Sequence, residues 1–170
     1  MRIALRMGTG TTGRLAVAGA LALIAAAPPP GRVLIGRHGG WAAFRDAGAC
    51  FAVAQPPARA RGPAPPFLAF TRRPGMAGAV ALSVRLSRAR DPRTPVTVQV
   101  GERRFPLQAD GGTAWARDAR DDARILAALR ASARLDVRAT GVHGGAFRDV
   151  YDLAGAPSAI DAAILACLAR

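Results

Sequence analysis

The chain has 170 residues, a length typical of a single domain. Its formal net charge of +13 comes from 24 basic residues, all of them arginine, against 11 acidic ones. Lysine and asparagine are absent, which indicates a bias of the coding sequence, so the charge favours polyanions in general without identifying one. The two cysteines form no Cys-x-x-Cys pair, and this excludes the usual cysteine-based metal and redox centres.

Residues 1–27 predict a signal peptide. Three arginines precede an apolar run of 13 residues from Leu15 to Ala27, and three prolines follow it. This run is shorter than the ~20 residues needed to cross a bilayer, so we expect cleavage near Ala26 or Ala27 and no remaining membrane span. The prediction is a periplasmic or secreted protein with one β-rich domain, residues 28–170.

Residues 8–13 read Gly-Thr-Gly-Thr-Thr-Gly, the glycine pattern of dinucleotide-binding folds. That pattern requires a following strand and a carboxylate about 20 residues later, which binds the ribose. Here the prolines at 28–30 interrupt the chain, and the first acidic residue is Asp46. We therefore interpret the motif as part of the signal peptide and expect no nucleotide cofactor.

The mature chain contains many short segments with strand character, separated by turn residues. Residues 79–88 show the clearest alternation, in which Val80, Leu82, Val84 and Leu86 predict a buried face. A proline-rich loop covers residues 56–66. The predicted strands lie at 32–36, 41–46, 50–55, 67–71, 79–88 and 96–100, around Phe105 and Leu107, around Trp115, and at 135–142 and 147–153.

Two helices are predicted. The first covers residues 118–133, where the adjacent carboxylates of Asp121 and Asp122 near its start suit capping and the helix dipole. The second follows residues 155–158, and its apolar side is predicted to comprise Ile160, Ile164, Leu165 and Leu168, with Cys167 next to that side.

These elements predict a mostly β fold: an antiparallel β-sandwich or partly closed barrel with one mid-chain helix and a C-terminal helix, preceded by an N-terminal signal helix. Export into an oxidising compartment predicts a disulfide between Cys50 and Cys167. In a chain-entropy estimate, closing this loop would add about 4–5 kcal/mol to the free energy of unfolding.

The middle of the sequence is rich in arginine. We predict Arg72, Arg73, Arg85, Arg88 and Arg90 as a candidate anion-binding group for lipopolysaccharide or another polyanion, against the alternative of a merely solvated face. Aromatic residues do not alternate with these arginines, so the stacking platform of a single-strand nucleic-acid binder is missing, and no specific nucleic-acid partner is expected.

Both histidines, His38 and His143, are followed by two glycines. A His-Gly-Gly run builds the oxyanion hole of some hydrolases, but no Gly-x-Ser-x-Gly nucleophile motif accompanies it here. A metal shared by the two histidines with Asp46 or Asp149 is a further alternative. We favour two glycine turns with solvated histidines, and we predict no catalytic residues, no metal and no cofactor.

Several segments together resemble the invasion-associated locus B family of alphaproteobacteria. They are Gly40-Trp41-x-x-Phe44 leading into Cys50, the strand Leu82-Ser83-Val84-Arg85-Leu86, and the ending from Tyr151 to Ala163 followed by Cys167. The resemblance extends from about Val33 to Cys167. It implies an exported envelope protein, linked in pathogenic members to host-cell invasion, that acts through an envelope or host-surface partner and has no established enzymatic activity. A binding module for anionic glycolipid is the alternative, and a hydrolase is a third hypothesis.

Overall fold

The computed structural model describes residues 31–56, 65–73 and 79–168. The predicted signal peptide, its glycine motif and most of the proline-rich loop lie outside these residues. The described part contains ten strands and two helices. They are β1 (Val33–His38), β2 (Trp41–Asp46), β3 (Ala49–Ala54), β4 (Phe67–Arg72), β5 (Val80–Arg85), β6 (Val96–Val100), β7 (Arg103–Asp110), β8 (Thr113–Ala116), α1 (Ala119–Arg130), β9 (Arg134–Thr140), β10 (Ala146–Asp152) and α2 (Ala156–Leu168).

All described strands form a single antiparallel sheet in the order β1-β2-β3-β4-β5-β8-β7-β6-β9-β10. The mostly β, antiparallel architecture with a mid-chain and a C-terminal helix is therefore confirmed. The sheet is not closed, since β1 and β10 are its two edges. It nevertheless rolls strongly, which brings the end of β5 close to β10. Ser87, just after β5, donates two hydrogen bonds to the carboxylate of Asp149 on β10.

Alternation along the strands fills the interior of this rolled sheet. On β5, Val80, Leu82 and Val84 are buried while the residues between them are partly exposed, as predicted. Helix α2 packs on β1 to β4, and α1 packs on β5 to β8. The largest fully buried side chains are Trp41, Tyr151, Phe70, Leu68, Leu82, Ile125, Leu129, Leu135 and Ile160.

The buried side of α2 differs from the prediction. Leu165 and Leu168 are 64% and 58% exposed, so they do not belong to the face that packs on the sheet. That face consists of Ile160 with small residues: Ala156, Ala159, Ala163 and Cys167. Small side chains let the helix lie close to the sheet, and this close approach brings Cys167 within bonding distance of β3. Of the predicted apolar side, Ile160 is buried and Ile164 packs partly buried against the core, so the prediction was wrong for the two leucines.

Candidate functional site

Cys50 and Cys167 form a disulfide, as the sequence predicted. Cys50 lies on β3, Cys167 lies in the last turn of α2, and their Cα atoms are 5.8 Å apart. The two residues are 117 positions apart in the chain, so the bond connects an early strand to the final helix. Both are buried. Arg45 supports the same junction, because its guanidinium donates to the carbonyl of Ala166 in the last helical turn, at 2.8 Å.

A small, largely apolar cleft of about 190 Å³ lies beside the disulfide. It is lined by Val33, by the β2–β3 turn and by the C-terminal end of α2. Val33, the first residue of β1, is 59% exposed, and Leu168, the last residue of α2, is 58% exposed.

The predicted arginines do not form one continuous group. Arg72 is the last residue of β4, whereas Arg85 on β5 is paired with Phe67, the first residue of β4. The two side chains are therefore separated by the length of β4, about 17 Å. Arg73 continues from Arg72 and is exposed. Arg85 lies over the ring of Phe67, with its guanidinium carbon 5.0 Å from the ring centroid.

Arg88 and Arg90 lie beyond the end of β5. The exposed Arg88 stacks over Phe147 at 5.8 Å. The guanidinium of Arg90 donates to the backbone carbonyls of Ala109 at 2.7 Å and Asp91 at 3.3 Å, so it connects the segment after β5 to β7. Of the five predicted arginines, Arg73 and Arg88 are thus the most exposed, and an anion-binding role for the set stays a prediction.

The two histidines are far apart. The β1–β2 turn, which follows His38, contacts residues 154–155 directly after β10. His143 lies in the turn that leads into the first residue of β10. Seven residues of extended strand separate these ends by about 20 Å, which excludes a metal or a catalytic site shared by both histidines.

The carboxylates at the start of α1 have structural partners. Asp118 caps the helix and accepts from the amide of Asp121 at 2.8 Å. Asp121 is buried against Arg117 and Arg124. Asp122 accepts from the amide of Leu82 at 2.7 Å, at a point on β5 that the short strand β8 does not reach. Burial raises the pKa of Asp122 despite this hydrogen bond.

A second buried carboxylate, Asp149, lies inside the rolled sheet. It accepts from both the amide and the hydroxyl of Ser87. Tyr151, on the same face of β10, is 1% exposed, and burial together with the charge of Asp149 raises its pKa. Solvent does not reach these groups, so they stabilise the interior and do not form a site for an external ligand.

The third buried carboxylate, Asp136, is different because it lines an open cleft. Its side chain is 7% exposed and three guanidinium groups surround it at 3.4 to 3.5 Å, from Arg134, Arg138 and Arg148. The cleft has a volume of about 500 Å³ and lies on the outer face of β6, β9 and β10, next to the end of α1.

Polar atoms in this cleft lack hydrogen-bond partners. They are Oδ1 of Asp136, Nε of Arg138 and Oε1 of Gln99. The distances from the arginines to Asp136 exceed the ~2.9 Å of a well-formed hydrogen bond, so each arginine keeps donor capacity. Such an arrangement can bind an anion together with a hydrogen-bond donor. We call it the Asp136 cleft, meaning Gln99, Asp136 and the three arginines.

Sequence reasoning missed the Asp136 cleft. Along β9, the charged residues Arg134, Asp136 and Arg138 alternate with apolar ones, as on any strand with one solvated face. Only the pairing of β9 with β10 on one side and β6 on the other brings Arg148 and Gln99 to the same place.

Within the described residues, no helix is both long and apolar enough to cross a membrane. Neither do the described side chains of His, Cys, Asp and Glu include a group of three that could hold a metal ion.

Comparison with known proteins supports the fold assignment. No protein-family model matches the chain, and no curated protein matches it in sequence. Three chains among solved structures match. One is the crystal structure of invasion associated protein B from Bartonella henselae, which is 19% identical with a TM-score of 0.59. The match covers 79% of this chain and 97% of that chain. The two proteins share a fold.

Proposed function

We propose that the chain is an exported protein of the bacterial envelope, of the invasion-associated locus B type, which acts by binding a partner and catalyses no reaction. The observation that carries this proposal is the fold shared with invasion associated protein B over nearly all of that chain. The disulfide supports export, because such bonds form and persist in oxidising compartments.

Export is tested by expressing the full chain with a C-terminal tag and separating the cell fractions. We expect the tagged protein in the periplasm or medium, shortened near Ala26 or Ala27, with thiols that react with maleimide only after reduction. A Leu23→Arg variant, which places a charge in the apolar run, is the control and should stay unprocessed in the cytoplasm. Wild-type protein found there at full length, with two free thiols, would refute export.

The absence of catalysis is tested separately. The distance between His38 and His143 supports a binding role, because neither histidine can assist the other. We expect purified oxidised protein to show no turnover of p-nitrophenyl esters. Turnover that is lost in His38→Ala or His143→Ala would instead establish the hydrolase.

A second candidate function is binding of an extended polyanion, favoured by the exposure of Arg73 and Arg88. The double variant R73Q/R88Q should elute from immobilised heparin at clearly lower salt than wild type. Each lost contact to a sulfate group weakens the binding and makes the affinity less dependent on salt. An unchanged elution position would rule out these two arginines as the polyanion contact.

A further inference from the structure

We propose that the Asp136 cleft binds a phosphorylated sugar, with the arginines holding the phosphate and the buried acceptor atoms receiving sugar hydroxyls. This inference deepens the proposed binding function and rests on it only for the idea that the protein acts through its surface.

The charge balance of the cleft calls for an anion. Arg138 on β9 and Arg148 on β10 are directly opposite in the antiparallel register. Like charges in such positions destabilise a sheet. Asp136 lies two residues before Arg138 on β9 and diagonal to Arg148. It offsets one positive charge, but three guanidinium groups around one carboxylate leave a net charge of +2.

Guanidinium geometry favours an oxyanion with several oxygens. Arginine donates two parallel hydrogen bonds to phosphate or carboxylate, and these charge-assisted bonds are about twice as strong as neutral ones. The side chains of Arg134 and Arg148 are 64% and 50% exposed, so both can turn toward a ligand. The unpartnered Nε of Arg138 supplies a further donor.

The acceptors in the cleft define the rest of the ligand. Oε1 of Gln99 is buried without a hydrogen-bond donor, which is a costly state for a polar atom. Oδ1 of Asp136 has only the long contact of 3.5 Å with Nε of Arg134 and makes no hydrogen bond. Gln99 is directly opposite Asp136 across β6 and β9, so the two oxygens face the same space. An isolated phosphate ion offers few donors for them, whereas a sugar phosphate carries hydroxyl groups beside its anionic group.

The test uses oxidised protein purified after expression of the full chain, titrated calorimetrically with glucose 1-phosphate, inorganic phosphate and glucose. We expect glucose 1-phosphate to bind most tightly. R138Q and R148Q should each weaken it at least about tenfold, as expected for a lost charge-assisted contact. Arg148 is half exposed, so R148Q remains informative if R138Q does not fold. R120Q removes the same charge about 16 Å away along α1 and should leave binding unchanged.

A further variant, Gln99→Leu, separates the two parts of the site. It should reduce the preference for glucose 1-phosphate over inorganic phosphate while leaving phosphate affinity unchanged.

Phosphatidylcholine vesicles carrying lipid A then show whether the natural sugar phosphate belongs to a glycolipid or is free in solution. Retention of wild type but not of R148Q on the vesicles assigns it to a glycolipid, and no retention assigns it to a free sugar phosphate. The proposal fails if glucose 1-phosphate does not bind, if it binds no better than phosphate, or if R120Q weakens it as much as R148Q. Normal export with any of these results would leave the proposed envelope role intact.

Discussion

The indole nitrogen of Trp41 donates a hydrogen bond to the backbone carbonyl of Asp152 at 2.8 Å. Trp41 begins β2 and Asp152 ends β10, so this bond connects the two ends of a ten-stranded sheet whose edge strands do not pair. The indole is fully buried. The rolled shape is therefore held by this side-chain bond, by the contact of Ser87 with Asp149 and by the close approach of two turns, in place of a closing strand ladder.

Gly155 is the position where this approach is tightest. It has a φ of +83°, and a Cβ at this position would overlap the carbonyl oxygen of His38. We predict that Gly155→Ala lowers the unfolding temperature strongly, because alanine meets both an unfavourable φ and a backbone clash. Thermal unfolding followed by circular dichroism measures the loss.

The matched control for Gly155 is Gly48. It has a φ of +90° in the β2–β3 turn, and a Cβ there would meet nothing within 4 Å. Gly48→Ala should therefore cost only the ~1–2 kcal/mol of the left-handed conformation. Equal losses in the two variants would show that the contact between the sheet ends does not constrain the fold.

Removal of the disulfide should lower stability by several kcal/mol. A loop closed over 117 residues corresponds to about 5 kcal/mol of lost unfolded-state entropy, against a typical total of ~5–15 kcal/mol. The double variant C50A/C167A and the reduced wild type should both unfold at much lower urea concentration than oxidised protein. A reduced wild type as stable as the oxidised form would mean that the bond adds no stability.

Strand positions followed from the sequence because alternation is a local property. The burial of Val80, Leu82 and Val84 could be predicted from their spacing alone. The order of strands could not, because β5 pairs with β8 and β6 with β9, and non-local pairing depends on how the whole sheet packs. The Asp136 cleft depends on that order, so no local pattern indicated it.

Helix α2 shows a different limit. The prediction placed Leu165 and Leu168 on the buried side together with Ile160 and Ile164, because hydrophobicity favours large apolar residues there. The structure buries Ala159 and Ala163 beside Ile160 and exposes Leu165. The cysteine itself was the better indicator of the inward face.

Asp122 should make stability depend on pH in an unusual direction for a carboxylate. Its pKa is raised above 3.8 by burial, and the charges of Asp118 and Asp121 raise it further. The folded state therefore binds the proton more tightly than the unfolded state, and the stabilisation from this group is lost as pH rises through the folded pKa. Asp122→Asn can still accept from Leu82, so we predict that its stability relative to wild type increases as pH rises from about 3 to 6.

Asp122→Ala separates the hydrogen bond from the charge. It leaves the amide of Leu82 without a partner, so it should be about 1–3 kcal/mol less stable than Asp122→Asn at every pH in this range, since neither variant carries the carboxylate. Urea unfolding at a series of pH values measures both variants. A constant difference between wild type and Asp122→Asn across the series would contradict the raised pKa.

The ion pair between Arg130 and Asp161 joins the end of α1 to the middle of α2. Two nitrogens of Arg130 contact the carboxylate of Asp161 at 2.5 and 3.2 Å. The hydrogen bond from Arg130 lowers the pKa of Asp161, so this stabilisation is present above the unfolded pKa of 3.8 and is lost as pH falls through the folded value. Both side chains are nearly half exposed, at 43% and 47%. We therefore predict that Arg130→Met costs only ~0.2–1 kcal/mol at pH 7, as expected for a solvent-screened pair.

Arg120→Met is the control for that charge, because Arg120 lies exposed on the same helix and makes no ion pair within the described residues. Urea unfolding at pH 7 should distinguish Arg130→Met from the control. The difference should shrink as pH is lowered through the folded pKa of Asp161, and also in 1 M salt, where the Debye length is about 3 Å. If the cost of Arg130→Met did not change as pH was lowered, it would come from packing of the arginine stem between α1 and α2, since packing does not depend on the charge of Asp161.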